Sequence, residues 1–573
     1  MLKNLLAGLL GRGAAPASRA SDELELAVDL LLQGDDAGAA QICERRLQRE
    51  PDSVKAWELY GAAALNLGDY PAACARFERV LALAGDEARH LANAAEANRR
   101  ADKCGRALEL IERALAMQPG HAPFLHIRVL ALEGCWRMDE ALAACREALA
   151  LQPDFAKLHT SYMRLLNCAG ADPALILEAH CAWAGRFAAA PPTVPQHHNS
   201  RQPGRQLRIG YVSADFRRHA ASDFILPLLE QHTRADFSVY CYSSTPKVDA
   251  ITRRCEELAA QWRDIAMMPD EAAEALMRSD AIDILVDLSG HTSGNRLPLF
   301  ARKPAPVQIT FLGYPGTTGL AQMDYRLTDG VADPPGSEAY YRERLLRLPH
   351  SLWCFQPPPS MPQPGPAPFQ RAGHITFGSL NSTSKLTPAT IALWSRLLLQ
   401  LPRARLLMAG VSTAEARERI MAEFARHGVA PPAVSIHPGL EREEFWALHQ
   451  NIDIALDSFP YNGGATTCAT LWLGVPVISM AGNLFQSRAG LSLLAALGLR
   501  ELVADDPDDF LRVALDLARD PQRLAELRLG MRERMRASPL IDAAAYTRDL
   551  ERLYRAAWED WCAAEPAARG GAC

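Results

Sequence analysis

ERRLQREPD (44–52), ERVLALAGD (78–86), ERALAMQPG (112–120) and REALALQPD (146–154) follow one another at a spacing of 34 residues, and this period decides the first third of the fold. Ala39, Ala73, Ala107 and Ala141 recur at the same interval, as do Leu47, Leu81, Leu115 and Leu149. Asp52, Asp86 and Asp154 occupy one slot of the period, with Gly120 in the intermediate place. Small residues let paired helices approach closely and leucines fill the seam between them. The pattern is that of tetratricopeptide repeats, helix-turn-helix units that bury one another's apolar faces. The expected array runs over 22–185 and ends in a more divergent capping pair containing Trp183. The concave face of such a stack suits a peptide or protein partner. Residues 1–21 read as an amphipathic N-terminal arm, because Arg12 interrupts the apolar run where a signal peptide would continue.

Beyond the array, 186–206 (RFAAAPPTVPQHHNSRQPGRQ) has no helical or strand period and reads as a linker. LRIGYVSADF (207–216), FSVYCYSS (237–244) and IDILVDLSG (282–290) then read as buried strands separated by helical stretches. A Pro-rich break, QPPPSMPQPGPAPFQ (356–370), precedes a second alternation: HITFGSL, a helix from Thr387, RARLLMAG, a helix from Thr413, then VSIHPG, IDIALDS and VPVISM. Two open α/β sheets divided in this way predict two Rossmann-like lobes facing a cleft, with ligands at the carboxyl ends of the strands. The fold class is α + α/β, a tetratricopeptide α-solenoid followed by a two-lobed α/β domain. Its parts are an N-terminal lobe over 207–356, an inter-lobe linker over 357–372, a C-terminal lobe over 373–541, and a closing helix and tail over 542–573.

The net charge of −6 over 573 residues offers no global attraction to nucleic acid or anionic membranes. No stretch approaches the roughly 20 apolar residues of a membrane span. Thirteen scattered cysteines with no Cys-x-x-Cys pair indicate neither a disulfide framework nor a zinc site, so a reducing, cytoplasmic setting is expected.

Three places carry candidate chemistry. Lys385 lies two residues before Thr387-Pro388, a helix N-cap followed by proline at the first helical position. That combination sets an ammonium beside unpaired helix amides, an arrangement suited to a diphosphate. Gly463, Gly464, Ala465, Thr466 and Thr467 form a small-residue turn opening a second helix after IDIALDSFP, where amides and hydroxyls can hold phosphate oxygens. His219 follows the first strand of the α/β part, and an imidazole there can accept a proton or orient a hydroxyl.

The blocks GYVSADFRRHAASDF (210–224), DILVDLSGHTSGNRLPLFARKPAPVQITFLGYPGTTGLAQMDYRLTD (283–329), FGSLNSTSKLTP (377–388) and LDSFPYNGGATTCATLWLGVPVISM (456–480) occur in this order behind a repeat array. Over 207–560 the chain resembles the protein O-GlcNAc transferase and SPINDLY family. The resemblance implies a GT-B glycosyltransferase of family 41 that moves one sugar from a nucleotide diphosphate donor to Ser or Thr hydroxyls of proteins, inverting and without a metal. UDP-GlcNAc is the first donor expected and GDP-fucose the alternative, since DFRRHAASDF, the TGL after GYPGT, ADPP and FPYNGG-x-TTC are SPINDLY-like. No cofactor beyond the donor is implied.

By the same resemblance Lys385 is the donor-phosphate lysine and His219 stands beside the sugar-transfer site. Gly463, Gly464, Thr466 and Thr467 hold the diphosphate, and Arg442 and Phe445 lie near the nucleotide base. His291, Gly313 and Pro315 line the sugar and acceptor side. The chain departs from the pattern at Ala469, where many members carry Asp or Glu, and at Ala465, which replaces a commonly polar residue. A weaker donor site, another nucleotide, or a non-catalytic scaffold built on the repeats are the readings this departure opens. Glucose transfer to asparagine is a further enzymatic rival. No Asp-x-Asp pair sits at a strand end, VADDPDD (503–509) reads as a solvated loop, and no metal is expected.

Overall fold

The computed structural model describes residues 19–189, 196–245 and 247–564. Most of the expected N-terminal arm (1–18), linker residues 190–195 and the tail after 564 lie outside the described residues. Contacts divide the chain into two compact units, Met1–Tyr162 with Ser412–Ile420, and Met163–Val411 with Met421–Cys573.

The first unit is built from paired helices whose alternate members are Asp36–Arg49, Tyr70–Ala84, Cys104–Met117 and Met138–Leu151. Ala39, Ala73, Ala107 and Ala141 occupy the same turn of each and are completely buried. One turn on, Cys43, Phe77, Ile111 and Cys145 close the seam. Any larger residue at the alanine slot would push neighbouring helices apart. The acidic slot of the period has a distinct use. Asp52 accepts from Arg79 at 2.7 Å, and Asp86 pairs with Arg113 one repeat later. At the third position, Gly120 offers only its carbonyl, which accepts from Gln152 Nε2 at 2.7 Å. Exposed pairs of this kind contribute about 1 kcal/mol or less, so the array rests on its buried seam.

The second unit begins inside the helix Ala156–Ala169 and includes Pro173–Phe187. The sequence places this pair with the repeats, as their cap. From Met163 onward the pair belongs with the α/β part, and Trp183 stands edge-on to His291 at 4.7 Å between ring centroids.

Two all-parallel sheets follow. The first has the order β3-β2-β1-β4-β5-β6-β7, with β1 Leu207–Ser213, β2 Phe237–Ser243, β3 Gln261–Asp264, β4 Ile284–Asp287, β5 Val307–Thr310, β6 Tyr325–Asp329 and β7 Arg344–Leu348. The second has the order β10-β9-β8-β11-β12-β13, with β8 Thr376–Ser379, β9 Arg405–Met408, β10 Val434–Ile436, β11 Ile454–Leu456, β12 Val477–Met480 and β13 Val503–Ala504. Strands β4, β5, β8, β11 and β12 are buried on both faces, and β4 and β11 read as apolar runs for that reason. The edge strand β3 (QWRD) is exposed at both ends and carries no such run.

The segment VADDPDD is not the solvated loop its composition suggests. Val503 and Ala504 form β13, and Asp506 caps the helix Pro507–Ala518 by accepting from the amides of Asp508 and Asp509 at 2.9 and 2.8 Å. The long helix Ala543–Ala563 returns to the first lobe, where Glu551 accepts from His232 Nδ1 at 2.9 Å and from the Thr233 amide at 2.8 Å. Among the described residues no helix is long and apolar enough to cross a membrane.

Candidate functional site

Strand order reverses direction between β1 and β4 in one sheet and between β8 and β11 in the other, and such switch points leave a crevice at the carboxyl ends of the strands. A cavity of about 220 Å³ lies there. Asp215 and His219 after β1, Thr292 after β4, and Gly313 and Pro315 after β5 line one wall. Lys385 after β8, Tyr461, Asn462, Gly464 and Ala465 after β11, and Phe485 and Gln486 after β12 line the other, with Trp353 between. Backbone crowding dictates the glycines. A side chain at Gly313 would begin 2.2 Å from the Leu288 carbonyl oxygen, and one at Gly464 would begin 2.7 Å from the Trp353 ring.

Lys385 ends a short 3-10 turn before the helix Pro388–Gln400, whose N-cap Thr387 accepts from the Thr390 amide at 3.1 Å. Its Nζ donates to the Asn462 carbonyl at 2.8 Å and stands 4.1 Å from the Tyr461 ring centroid. Burial pulls the ammonium below the usual lysine range, and the Asp457 carboxylate pulls it back. Asp457 also builds the turn beneath. One oxygen accepts from the amides of Gly463 at 2.7 Å and Ser458 at 3.0 Å and from Asn381 Nδ2 at 3.0 Å, and the other from Ser479 Oγ at 2.8 Å. Burial nevertheless raises its pKa to about 6. The helix Ala465–Trp472 then starts with no side-chain cap at Gly464, so its positive end meets the cavity wall at Gly464 and Ala465.

The first lobe repeats the device at β4. Asp287 accepts from the amides of Ser289 and Gly290 and from Thr310 Oγ1 at 2.9 Å, and burial raises its pKa to about 6 as well. His219 stands more open. Its Nδ1 accepts from the Ala221 amide at 3.2 Å, so the neutral ring carries its proton on Nε2. Burial lowers its pKa, the nearby Asp215 carboxylate opposing, and the imidazole is therefore uncharged at neutral pH.

Of the residues singled out in the sequence, His219, Lys385, Gly464, Ala465, Gly313 and Pro315 meet on this cavity. The others are placed elsewhere. Gly463 is buried and donates to Asp457, and Thr467 is buried with its hydroxyl against Gly463. Thr466 is half-buried, and its carbonyl accepts from Thr470 Oγ1 at 2.8 Å. Ala469 lies one turn further along the helix and offers only a methyl group.

His291 does not line the cleft. It is 3% exposed, its Nε2 bonds the Thr318 carbonyl at 2.9 Å, and its ring is enclosed by Trp183, His180 and Tyr314. Phe445 is not among the residues that line the cavity, and its ring lies 5.4 Å between centroids from His449. Arg442 pairs with Asp223 of the first lobe at 2.5 Å, a contact that ties the lobes together. Arg442→Ala should therefore cost about 1–2 kcal/mol of stability, while donor affinity changes less than about twofold. A tenfold affinity loss in calorimetry would put Arg442 back in the nucleotide site.

Asp215, Trp353, Tyr461, Gln486 and the supporting Asp457 were not apparent as site residues in the sequence. Asp215 and Tyr461 fall inside the quoted blocks and carry that signal, whereas Trp353 and Gln486 have no local pattern to mark them.

The profile of glycosyl transferase family 41 matches residues 189–356 and 371–550. The chain is 38% identical over 423 residues to a Petunia hybrida protein named probable UDP-N-acetylglucosamine--peptide N-acetylglucosaminyltransferase SPINDLY, covering 72% of this chain and 45% of that one. It is 30% identical over 415 residues to the Arabidopsis thaliana protein of the same designation named SEC, covering 69% and 42%. The chain thus spans about half the length of the curated relatives it matches. Among solved structures, a lysine-to-methionine mutant of Thermobaculum terrenum O-GlcNAc transferase is similar with a TM-score of 0.81 at 36% identity, covering 90% of this chain and 99% of that one.

Proposed function

The chain belongs to glycosyl transferase family 41, and on that premise we propose that it transfers a single sugar from a nucleotide diphosphate donor to Ser or Thr hydroxyls of proteins. The observation that carries this reading is the meeting of the Lys385 ammonium with the uncapped start of the helix Ala465–Trp472 on one cavity, opposite His219. A sugar leaving group of this class is a diphosphate, on which negative charge accumulates as the bond to the anomeric carbon breaks. A fixed cation and oriented amides stabilise that charge in the transition state more than in the ground state. They supply the electrostatic work for which other transferases use a divalent metal, so the proposed reaction is metal-independent. The acceptor oxygen enters from the opposite side and the configuration inverts.

His219 serves this step as an orienting donor. Its Nδ1 lone pair is engaged by the Ala221 amide, which leaves Nε2–H to face a ligand oxygen. Asp215, in the same wall, is the carboxylate that takes the hydroxyl proton. His219→Phe is expected to lower kcat about 10²-fold and His219→Gln, which keeps an N–H donor, to recover part of it. Equal losses in both variants would return the base role to the histidine.

UDP-GlcNAc is the donor proposed first, consistent with the names of the relatives, and GDP-fucose the second. Both classes present the same diphosphate to Lys385. Calorimetry with UDP-GlcNAc, UDP-glucose and GDP-fucose, without metal, separates them. Selective binding of one donor names the sugar, and binding of none supports the scaffold reading that Ala469 opens.

A further inference from the structure

The helices Ala156–Ala169 and Pro173–Phe187 carry buried polar side chains that the mechanism above leaves unused. Asn167, 1% exposed, donates from Nδ2 to the Met163 carbonyl at 2.9 Å and to Tyr314 Oη at 3.0 Å. Its Oδ1 accepts from Gln486 Nε2 at 2.9 Å. His180 Nδ1 lies 2.6 Å from the Ile176 carbonyl, which can only accept, so Nδ1 holds the ring proton. Nε2, 2.9 Å from Tyr314 Oη, must then accept from the tyrosine hydroxyl. Every bond in the chain has one direction, from Gln486 to Asn167 to Tyr314 to His180 to the Ile176 carbonyl. Burial lowers the His180 pKa to about 4, so the ring remains neutral and the direction holds at physiological pH.

The Gln486 end of the chain lies on the cavity, and its middle member Tyr314 is flanked by the lining residues Gly313 and Pro315. The buried Arg326 donates to the carbonyls of Pro315 and Gly316 at 2.8 and 2.9 Å, so the turn is held from two sides. Gln486 lines the opposite wall. Its carbonyl accepts from the Asn462 amide at 2.7 Å, and the Asn462 carbonyl is the one that accepts from Lys385 Nζ. We infer that Asn167, on a helix that precedes both sheets, is a positioning residue that sets the Lys385 wall of the cleft against the Gly313–Pro315 wall. The reaction it serves rests on the transferase reading, but the geometry it controls can be measured without turnover.

The chain has seven lysines, few enough for each to be followed by NMR after reductive methylation with a ¹³C label, with Lys385→Ala assigning the signal of interest. In Asn167→Leu and in Gln486→Met the Lys385 resonance and its titration midpoint should move toward those of exposed lysines. Each variant should lose roughly tenfold in kcat, the effect of one buried hydrogen bond, and the double variant should lose no more than either alone. A purely structural role would lower the melting temperature and leave the Lys385 midpoint where it is. Wild-type lysine signals in both variants overturn the inference. Should Asn167→Leu fail to fold, Gln486→Met removes the same bond from the cavity side and decides alone. If the unaltered protein transfers no sugar from any donor, the transferase reading fails and the lysine midpoint still decides the positioning role.

Discussion

Lys385→Ala is expected to lower transfer about 10³-fold or more while the protein keeps its melting temperature. The size follows from what the ammonium does. It is drawn out of water against its own preference, held by one carbonyl and one aromatic face, and its nearest opposing charge, Asp457, is committed to four hydrogen bonds of its own. A cation kept under those conditions interacts strongly with any diphosphate that displaces the remaining solvent. Removing it takes away a transition-state interaction and leaves no buried carboxylate without a partner, so folding is spared. Single-turnover rates with the donor selected by calorimetry measure the effect. A variant retaining more than about a tenth of the rate would refute the phosphate role.

The second large effect is expected at Asp457, and its two consequences have opposite signs. The folded-state pKa is raised to about 6 from 3.8. The folded protein therefore binds a proton more tightly than the unfolded chain, and this group's contribution to stability falls as pH rises from about 4 to about 6. Donor binding should move the other way. Protonation turns one of the oxygens that hold the Gly463 turn into a donor, and the turn that presents its amides to the cavity loses an acceptor. Between pH 7 and pH 5 donor affinity should fall about tenfold, the drop in ionised fraction for a group titrating near 6. Asp457→Asn, the uncharged isostere, should bind about tenfold more weakly at pH 7 and show no acidic limb. Calorimetry across that range checks it, and a limb persisting unchanged in the asparagine variant would assign it to another group.

The helical array was legible because its code is local and repeated. Ala39, Ala73, Ala107 and Ala141 announce the seam at fixed intervals, and each is fully buried where the period requires it. The central strands were legible where burial on both faces leaves a run of apolar residues, as at Ile284–Val286 and Ile454–Leu456. Edge strands such as β3 and the two-residue β13 carry no such signature. In the site, Lys385 was visible through the Thr387-Pro388 start of its helix, a short-range signal. The surroundings of Arg442 and His291 were not legible because what fixes them is distant in sequence. The arginine finds Asp223 219 residues away, and His291 is enclosed by rings contributed by a helix more than a hundred residues earlier. The bond between Asn167 and Gln486 spans 319 positions, and no spacing rule reports it.

The division of the chain at Tyr162 bears on any attempt to exchange its modules. The unpatterned stretch at 186–206 looks like the natural splice point for grafting a foreign array onto the lobes. A junction there would strip Asn167, His180 and Trp183 from the half that depends on them, and the grafted product would inherit an incomplete cleft. Chimeras joined upstream of Met163 keep that half whole, and a foreign array must also seat Ser412–Ile420, which belongs with the repeats.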